Sequence, residues 1–205
     1  MKPVAVVTGA SGGLGRAIVA ELEGRGYEVV GLSRSTGVDV SDERRVGAAF
    51  KGLERLDALV NNAAVLINKP LVETRAEEWD VQLGSGLRGA FLCSREAFRR
   101  MRDGGSIVNV SSLSGVVGTE KFPGMAAYAA AKSGLAGLTE VLAVEGRPFG
   151  IRVNAVSPGA IDTPMLKLSG VPGRMFAPAE VARIIAWLAT PESAPLTGAN
   201  LRLDP

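Results

Sequence analysis

Short runs of β-branched and other apolar residues alternate along the chain with longer stretches in which apolar positions recur three and four residues apart. Runs such as Val4-Ala5-Val6-Val7 and Ile107-Val108-Asn109-Val110 are almost continuously apolar, the pattern of strands buried on both faces. The pattern predicts strands over 4–8, 28–32, 38–40, 58–61, 106–110, 152–157 and 200–203. Helices are predicted over 14–23, 42–53, 77–101, 126–145 and 179–189. Alternation of this kind implies βαβ units, and hence an α/β fold with a parallel sheet covered by helices on both faces. One connection does not fit, because five residues separate Leu32 from Val38. A parallel crossover takes about a dozen. Either an extended segment carries the chain back along the sheet there, or residues 38–40 are mainly loop.

Composition narrows the classes. A chain of 205 residues with 46% apolar and 21% charged residues is expected to fold as one domain with a large core. Its 23 basic and 21 acidic residues are dispersed, so no nucleic-acid partner is expected. Cys93 stands alone and cannot form an internal disulfide. The first apolar run is too short for a secretion signal and none approaches membrane-spanning length, so a cytoplasmic protein without a membrane partner is expected. The absence of histidine excludes hydrolases with a histidine base and the usual zinc sites, and no metal is expected.

The first strand runs into Thr8-Gly9-Ala10-Ser11-Gly12-Gly13-Leu14-Gly15 and then an amphipathic helix. A glycine-rich turn at a helix N-terminus lets backbone amides approach a pyrophosphate, which the helix dipole also favours. Gly9, Ser11, Gly13, Leu14 and Gly15 are therefore candidate cofactor contacts, although a flexible turn would have similar composition. The second strand ends at Ser33-Arg34, where a dinucleotide-binding fold chooses between a ribose hydroxyl and a 2′-phosphate. A neutral Ser33 and a cationic Arg34 favour NADP(H) over NAD(H), which stays open. Asp39 could accept a hydrogen bond from the adenine amine, or could begin the turn before the next helix.

Tyr128 and Lys132 stand four apart at the start of a predicted helix, so they share one face. A neighbouring cation favours the phenolate, and without histidine Tyr128 is the best acid/base candidate. The combination of motifs resembles the short-chain dehydrogenase/reductase family. The matching pieces are Thr8-Gly9-x-x-x-Gly13-x-Gly15, Asn61-Asn62-Ala63-Ala64, Ser111-Ser112-x-x-Gly115, Tyr128-x-x-x-Lys132, Ile151-Arg152-Val153-Asn154, Pro158-Gly159 and Thr163. They occur in family order and span nearly the whole chain. The resemblance implies a Rossmann-type doubly wound sheet, shortened relative to the family. It implies an oxidoreductase acting on a carbonyl or secondary alcohol, with Tyr128 as acid/base. Lys132 would hold the nicotinamide ribose and lower the tyrosine pKa, and Ser112 rather than Ser111 would bind the substrate oxygen. Asn61 and Ala63 would border the adenosine, and Pro158, Gly159, Ile161 and Thr163 would close over the nicotinamide. A homodimer or homotetramer through the two long helices is also implied.

One departure stands out. Alignment puts Gly86 where many members carry an asparagine that helps relay protons to the lysine. Gly84 and Gly86 weaken that helix, which suggests close packing or a local break. The segment after Pro164, running through Met165, Leu166, Arg174 and Phe176, reads as a compact lid, and with Phe122 it hints at a partly hydrophobic substrate. Two rival readings follow. One is a dinucleotide-binding protein with weakened catalysis that acts as a cofactor-responsive or structural partner. The other is a 3-oxoacyl-carrier-protein reductase.

Overall fold

Successive residues of a strand point to opposite faces of its sheet, so an unbroken apolar run needs a hydrophobic layer on each side. The computed structural model, which describes residues 2–101, 103–167 and 174–204, meets that need. The strands are β1 (Val4–Thr8), β2 (Glu28–Leu32), β3 (Ala58–Asn61), β4 (Gly105–Val110), β5 (Ile151–Pro158) and β6 (Asn200–Leu203). They form one six-stranded sheet in the order β2-β1-β3-β4-β5-β6. Every pairing is parallel.

The helices are α1 (Gly13–Gly24), α2 (Glu43–Lys51), α3 (Ala76–Leu83), α4 (Gly89–Phe98), α5 (Ala126–Gly146), the short α6 (Pro164–Lys167) and α7 (Pro178–Ala189). On one face Ile18 and Leu22 of α1 and Val181 and Ile185 of α7 pack over Ala5, Val7, Val60 and Val108. On the other, Val46 and Phe50 of α2, Leu92 and Cys93 of α4 and Ala143 of α5 cover Val6, Leu59, Ile107 and Val153. Each fully buried large aliphatic side chain contributes about 1.5–3 kcal/mol. Burial also pushes the Cys93 thiol up to about 12, which keeps it unreactive. Among the described residues, no helix is long and apolar enough to cross a membrane.

The strand expected over 38–40 does not form. Arg34–Thr36 instead make a 3₁₀ turn closed by Gly37 at φ 81°, with Ser33 as its cap. The chain then runs outside the sheet until Asp42 caps α2 by accepting from the Arg44 and Arg45 amides. Five residues are too few for a crossover, and Val40 is buried against α4 instead. A Cβ at Gly89 would lie 2.7 Å from Val40 Cγ2, so glycine is what permits this approach.

The long helix expected over 77–101 is interrupted by a π-helical turn, Gly84–Arg88, between α3 and α4. Both of the causes that its glycines suggested operate. Gly86 is buried, a Cβ there would meet Ala131 Cβ at 3.3 Å, and Leu87 fills the space beside Gly134. The π turn therefore presses directly on the part of α5 that carries Tyr128 and Lys132.

Candidate active site

Strand order reverses at β1, from which the chain goes to β2 on one side and β3 on the other. Ligands of open α/β sheets bind at the carboxyl ends of the strands at such a switch point. The turn after β1 is built for close approach. Gly9 has φ 65°, and a Cβ on it would meet Ala63 Cα and Asn62 Nδ2 at 2.9 Å. A Cβ on Gly15 would stand 2.1 Å from the Gly9 carbonyl oxygen. Gly12 caps α1, and the first helical bond runs from the Arg16 amide to the Gly12 carbonyl at 2.9 Å. The amides of Gly13, Leu14 and Gly15 precede it and are those available to an anion. Thr163, arriving after β5, lies over Gly13, whose Cβ would be 3.1 Å from Thr163 Cγ2.

Two cavities adjoin along this edge and share Asn62 and Ala64. The first, about 1230 Å³, takes in Gly9, Ser11, Ser33, Arg34, Asp39 and Ala63. The second, about 520 Å³, takes in Leu14, Ser112, Tyr128, Lys132 and the stretch from Pro158 to Thr163. Gly13 and Gly15 flank Leu14 in the turn and line neither cavity. Asn61 lies apart from the turn and the cavities. It is buried under the sheet, where its Nδ2 donates to Asn109 Oδ1 at 2.8 Å and Ser94 Oγ at 3.0 Å, and it does not border the groove. Its neighbour Asn62 faces the groove, donating through Nδ2 to the Thr8 and Gly9 carbonyls at 2.9 and 3.2 Å. The alternation of side chains along β3 was the signal for this distinction, since adjacent asparagines leave a strand on opposite sides. Ala64, the other shared residue, carried no such signal.

In the first cavity, Arg34 is exposed on the rim, while Ser33 is buried and occupied in capping its own turn. Asp39 accepts from the Ser41 amide and hydroxyl at 2.9 and 2.7 Å. Those bonds from Ser41 hold its carboxyl below the usual range, with lesser help from Arg34 and Arg45. Asp39 thus builds the turn before α2 and lines the cavity as well.

The other cavity brings Ser112, Tyr128 and Lys132 together. The two serines after β4 divide their work. Ser111 is buried and donates to the Lys132 carbonyl at 2.9 Å, which ties the strand end to α5. Ser112 accepts from the Ser114 amide at 3.1 Å and shares a hydrogen bond with the Tyr128 phenol. Lys132 is buried and donates through Nζ to the Val110 carbonyl at 2.6 Å. Its Nζ lies 5.5 Å from the centre of the Tyr128 ring. Burial lowers the Lys132 ammonium to about 8. Burial also raises the Tyr128 phenol above its ordinary value, while the Ser112 hydrogen bond pulls the other way. Withdrawal from water is the larger of these two causes, so the phenol without a bound nicotinamide rests on the protonated side. Leu66, Leu113, Phe122, Met125, Met165 and Leu166 complete a largely apolar wall, and Arg174 and Arg202 stand among its exposed lining residues. Residues 168–173 of the segment read as a lid lie outside the described residues.

A family model described as enoyl-(acyl carrier protein) reductase matches residues 31–205. The chain is 35% identical to the 3-oxoacyl-[acyl-carrier-protein] reductase of Vibrio harveyi over 235 aligned positions, covering 98% of this chain and 95% of the relative. It is 37% identical over 238 positions to the trans-4-hydroxycyclohexanecarboxylate dehydrogenase of Sinomonas cyclohexanicum, covering 98% and 91%. Among solved structures, the 3-ketoacyl-(acyl-carrier-protein) reductase of Brucella melitensis complexed with NADH is similar at TM-score 0.91 and 27% identity, covering 98% of this chain and 96% of the other. ElxO with NADP bound gives TM-score 0.89 at 29% identity, covering 100% and 98%. Fold, site and relatives together define an oxidoreductase on a Rossmann-type nucleotide-binding sheet. The chain belongs to the short-chain dehydrogenase/reductase family.

Proposed function

We propose that this chain is an NADP(H)-dependent oxidoreductase that interconverts a carbonyl and a secondary alcohol on a substrate with an apolar body. The convergence of Ser112, Tyr128 and Lys132 on a cavity that adjoins the glycine cradle carries the reading. The cradle fits a dinucleotide, since Gly9 and Gly15 stand where any Cβ would collide and the first-turn amides of α1 are available to a pyrophosphate. Gly9, Ser11, Gly13, Leu14 and Gly15 would hold the pyrophosphate, and Ala63 would border the adenosine. Lys132 would hold the nicotinamide ribose, with Pro158, Gly159, Ile161 and Thr163 over the nicotinamide. When bound, NADP(H) supplies or accepts the hydride.

In the reducing direction Tyr128 gives its phenolic proton to the substrate oxygen, and Ser112 hydrogen-bonds the same oxygen as charge develops on it. The raised phenol pKa keeps that proton in place at neutral pH, as an acid requires. At about 8, Lys132 is mostly protonated at pH 7, and its ammonium offsets the phenolate left behind. In the oxidising direction the phenolate is the base.

Arg34 supports NADP(H), because it is exposed on the rim of the adenosine-side cavity at the end of β2. The apolar wall around Phe122 and Met125 supports a ring or alkyl body next to the carbonyl. The Vibrio relative supports a 3-oxoacyl thioester and the Sinomonas relative a cyclic alcohol, and both fall within this class. Phe91, Val141 and Val144, 45%, 56% and 60% exposed on α4 and α5, support a homodimer or homotetramer through those helices.

Calorimetric titration with NADPH and NADH, on the wild type and on Arg34→Ala, tests the cofactor reading. A charge-assisted phosphate bond at an exposed site is worth about 1–2 kcal/mol, so the variant should lose about 5- to 30-fold in NADPH affinity. NADH affinity should stay unchanged. Equal affinities for the two nucleotides, unaltered in the variant, would overturn the NADP(H) assignment.

A further inference from the structure

The loop between β4 and α5 supplies Ser112, Leu113, Ser114, Thr119, Glu120 and Phe122 to the substrate-side cavity. Its first part is fixed to α5. Gly115 is buried there so closely that a Cβ would lie 2.5 Å from the Lys132 carbonyl carbon, and Ser133 Oγ donates to the Gly115 carbonyl at 2.8 Å. Its far end is fixed too, by the Lys69 amide donating to the Gly124 carbonyl at 3.1 Å. Between these anchors the chain makes an exposed excursion through Val117 and through Gly118 at φ 80°. Such a stretch has no strand or helix ladder to hold it.

A cation closes the excursion. Lys121 Nζ donates to the Val116 carbonyl at 2.5 Å, to Thr119 Oγ1 at 2.9 Å and to the Leu113 carbonyl at 3.3 Å. Thr119 Oγ1 in turn lies 2.6 Å from the Leu113 carbonyl oxygen. The Leu113 carbonyl opens the 3₁₀ turn Leu113–Gly115 and already accepts from the Val116 amide at 3.0 Å, while the Val116 carbonyl follows the turn, so the ammonium braces the turn from both of its ends. One ammonium thus gathers both ends of the loop whose inner side is the cavity wall.

We infer that Lys121 is a positioning residue that sets the substrate wall formed by Thr119, Glu120 and Phe122, without touching the reacting atoms. The inference rests on the oxidoreductase reading for its kinetic consequence but not for its structural one. Ser112 and Gly115 have anchors of their own, so loss of the clamp loosens the wall and leaves the proton donor in place. The consequence falls on substrate binding rather than on chemistry.

The test compares the wild type with Lys121→Met and Lys121→Arg. Hydrogen exchange of the Gly115 and Val116 amides, which close the turn onto the Ser112 and Leu113 carbonyls, reports the clamp directly. With Met, exchange should accelerate and KM for cyclohexanone should rise, each by about tenfold, the worth of one charge-assisted hydrogen bond. In the same variant kcat and NADPH affinity should stay within about threefold of wild type. Arginine, which keeps the charge and its donors, should restore both readouts. Unchanged exchange in Lys121→Met overturns the inference, as does a fall in kcat at constant KM. If the wild type reduces no ketone, the substrate reading fails, and the exchange rates alone decide the clamp.

Discussion

Replacing Gly15 with alanine places a methyl group 2.1 Å from the Gly9 carbonyl oxygen, far inside ordinary contact. Both sides of the clash are main chain, so no rotamer change relieves it, and α1 or the β1–α1 turn must move by roughly 1 Å. Overpacking of this kind costs about 1–3 kcal/mol, and a backbone-to-backbone contact belongs at the upper end. Alanine returns about 1 kcal/mol of helix propensity, which leaves a net loss of about 2 kcal/mol. For a chain of this length that corresponds to a fall in Tm of about 4–8 °C. Gly47 is the control, since it sits inside α2 with nothing within 4 Å of its added Cβ. Gly47→Ala should gain propensity alone and raise Tm by about 2–4 °C. Calorimetry should separate the pair again, with NADPH affinity lowered at least about tenfold in Gly15→Ala, because the first-turn amides move, and unchanged in Gly47→Ala. If Gly15→Ala were as stable as Gly47→Ala and bound nucleotide equally well, the steric account of the cradle would be refuted.

Three further outcomes are expected. Ser112→Ala should lower turnover about 10²- to 10³-fold, whereas Ser111→Ala should cost about 1 kcal/mol of stability through the lost bond to the Lys132 carbonyl; paired kinetics and denaturation on both variants check this division. Because burial lowers Lys132 to about 8 in the folded state, the unfolded chain binds the extra proton between pH 8 and pH 10, so this residue's contribution to stability improves as pH rises through that window. Urea denaturation of wild type and Lys132→Met across it should show the wild type gaining on the variant, and parallel curves would contradict the buried-ammonium account. Glu78 is held down to about 2 by Lys69 first and then by the Arg75 amide, so its contribution is present above pH 4.5 and is lost as pH falls towards 2. Glu78→Gln should therefore flatten the acid limb of a stability profile.

Much of this molecule was legible in the chain because buried parallel strands and amphipathic helices write distinct periodicities. The runs at Val4 and Ile107 and the glycines before α1 carry their physics locally. Val38-Asp39-Val40 misleads for the same reason, since a β-branched run looks like a strand while the length of its connection forbids the crossover. Asn61 and Asn62 have the same composition, and only the strand's alternation separates the buried one from the one in the groove. The direction of the Tyr128 shift depends on burial by residues distant in sequence, which spacing along one helix does not report. Lys121 has no signature at all, because its partners are backbone carbonyls that any sequence supplies.

Hydride transfer itself is the most direct test of the central claim. Reduced cofactor deuterated at the transferring position of its nicotinamide would be incubated with cyclohexanone and the wild type or Tyr128→Phe, and the alcohol product read by mass spectrometry. The account expects deuterium on the carbinol carbon with the wild type, and a rate at least about 100-fold lower in Tyr128→Phe with nucleotide affinity retained. Labelled alcohol forming equally fast without the phenol would contradict the assignment of Tyr128, and tight nucleotide binding with no label transferred to this or any other carbonyl would contradict the oxidoreductase mechanism.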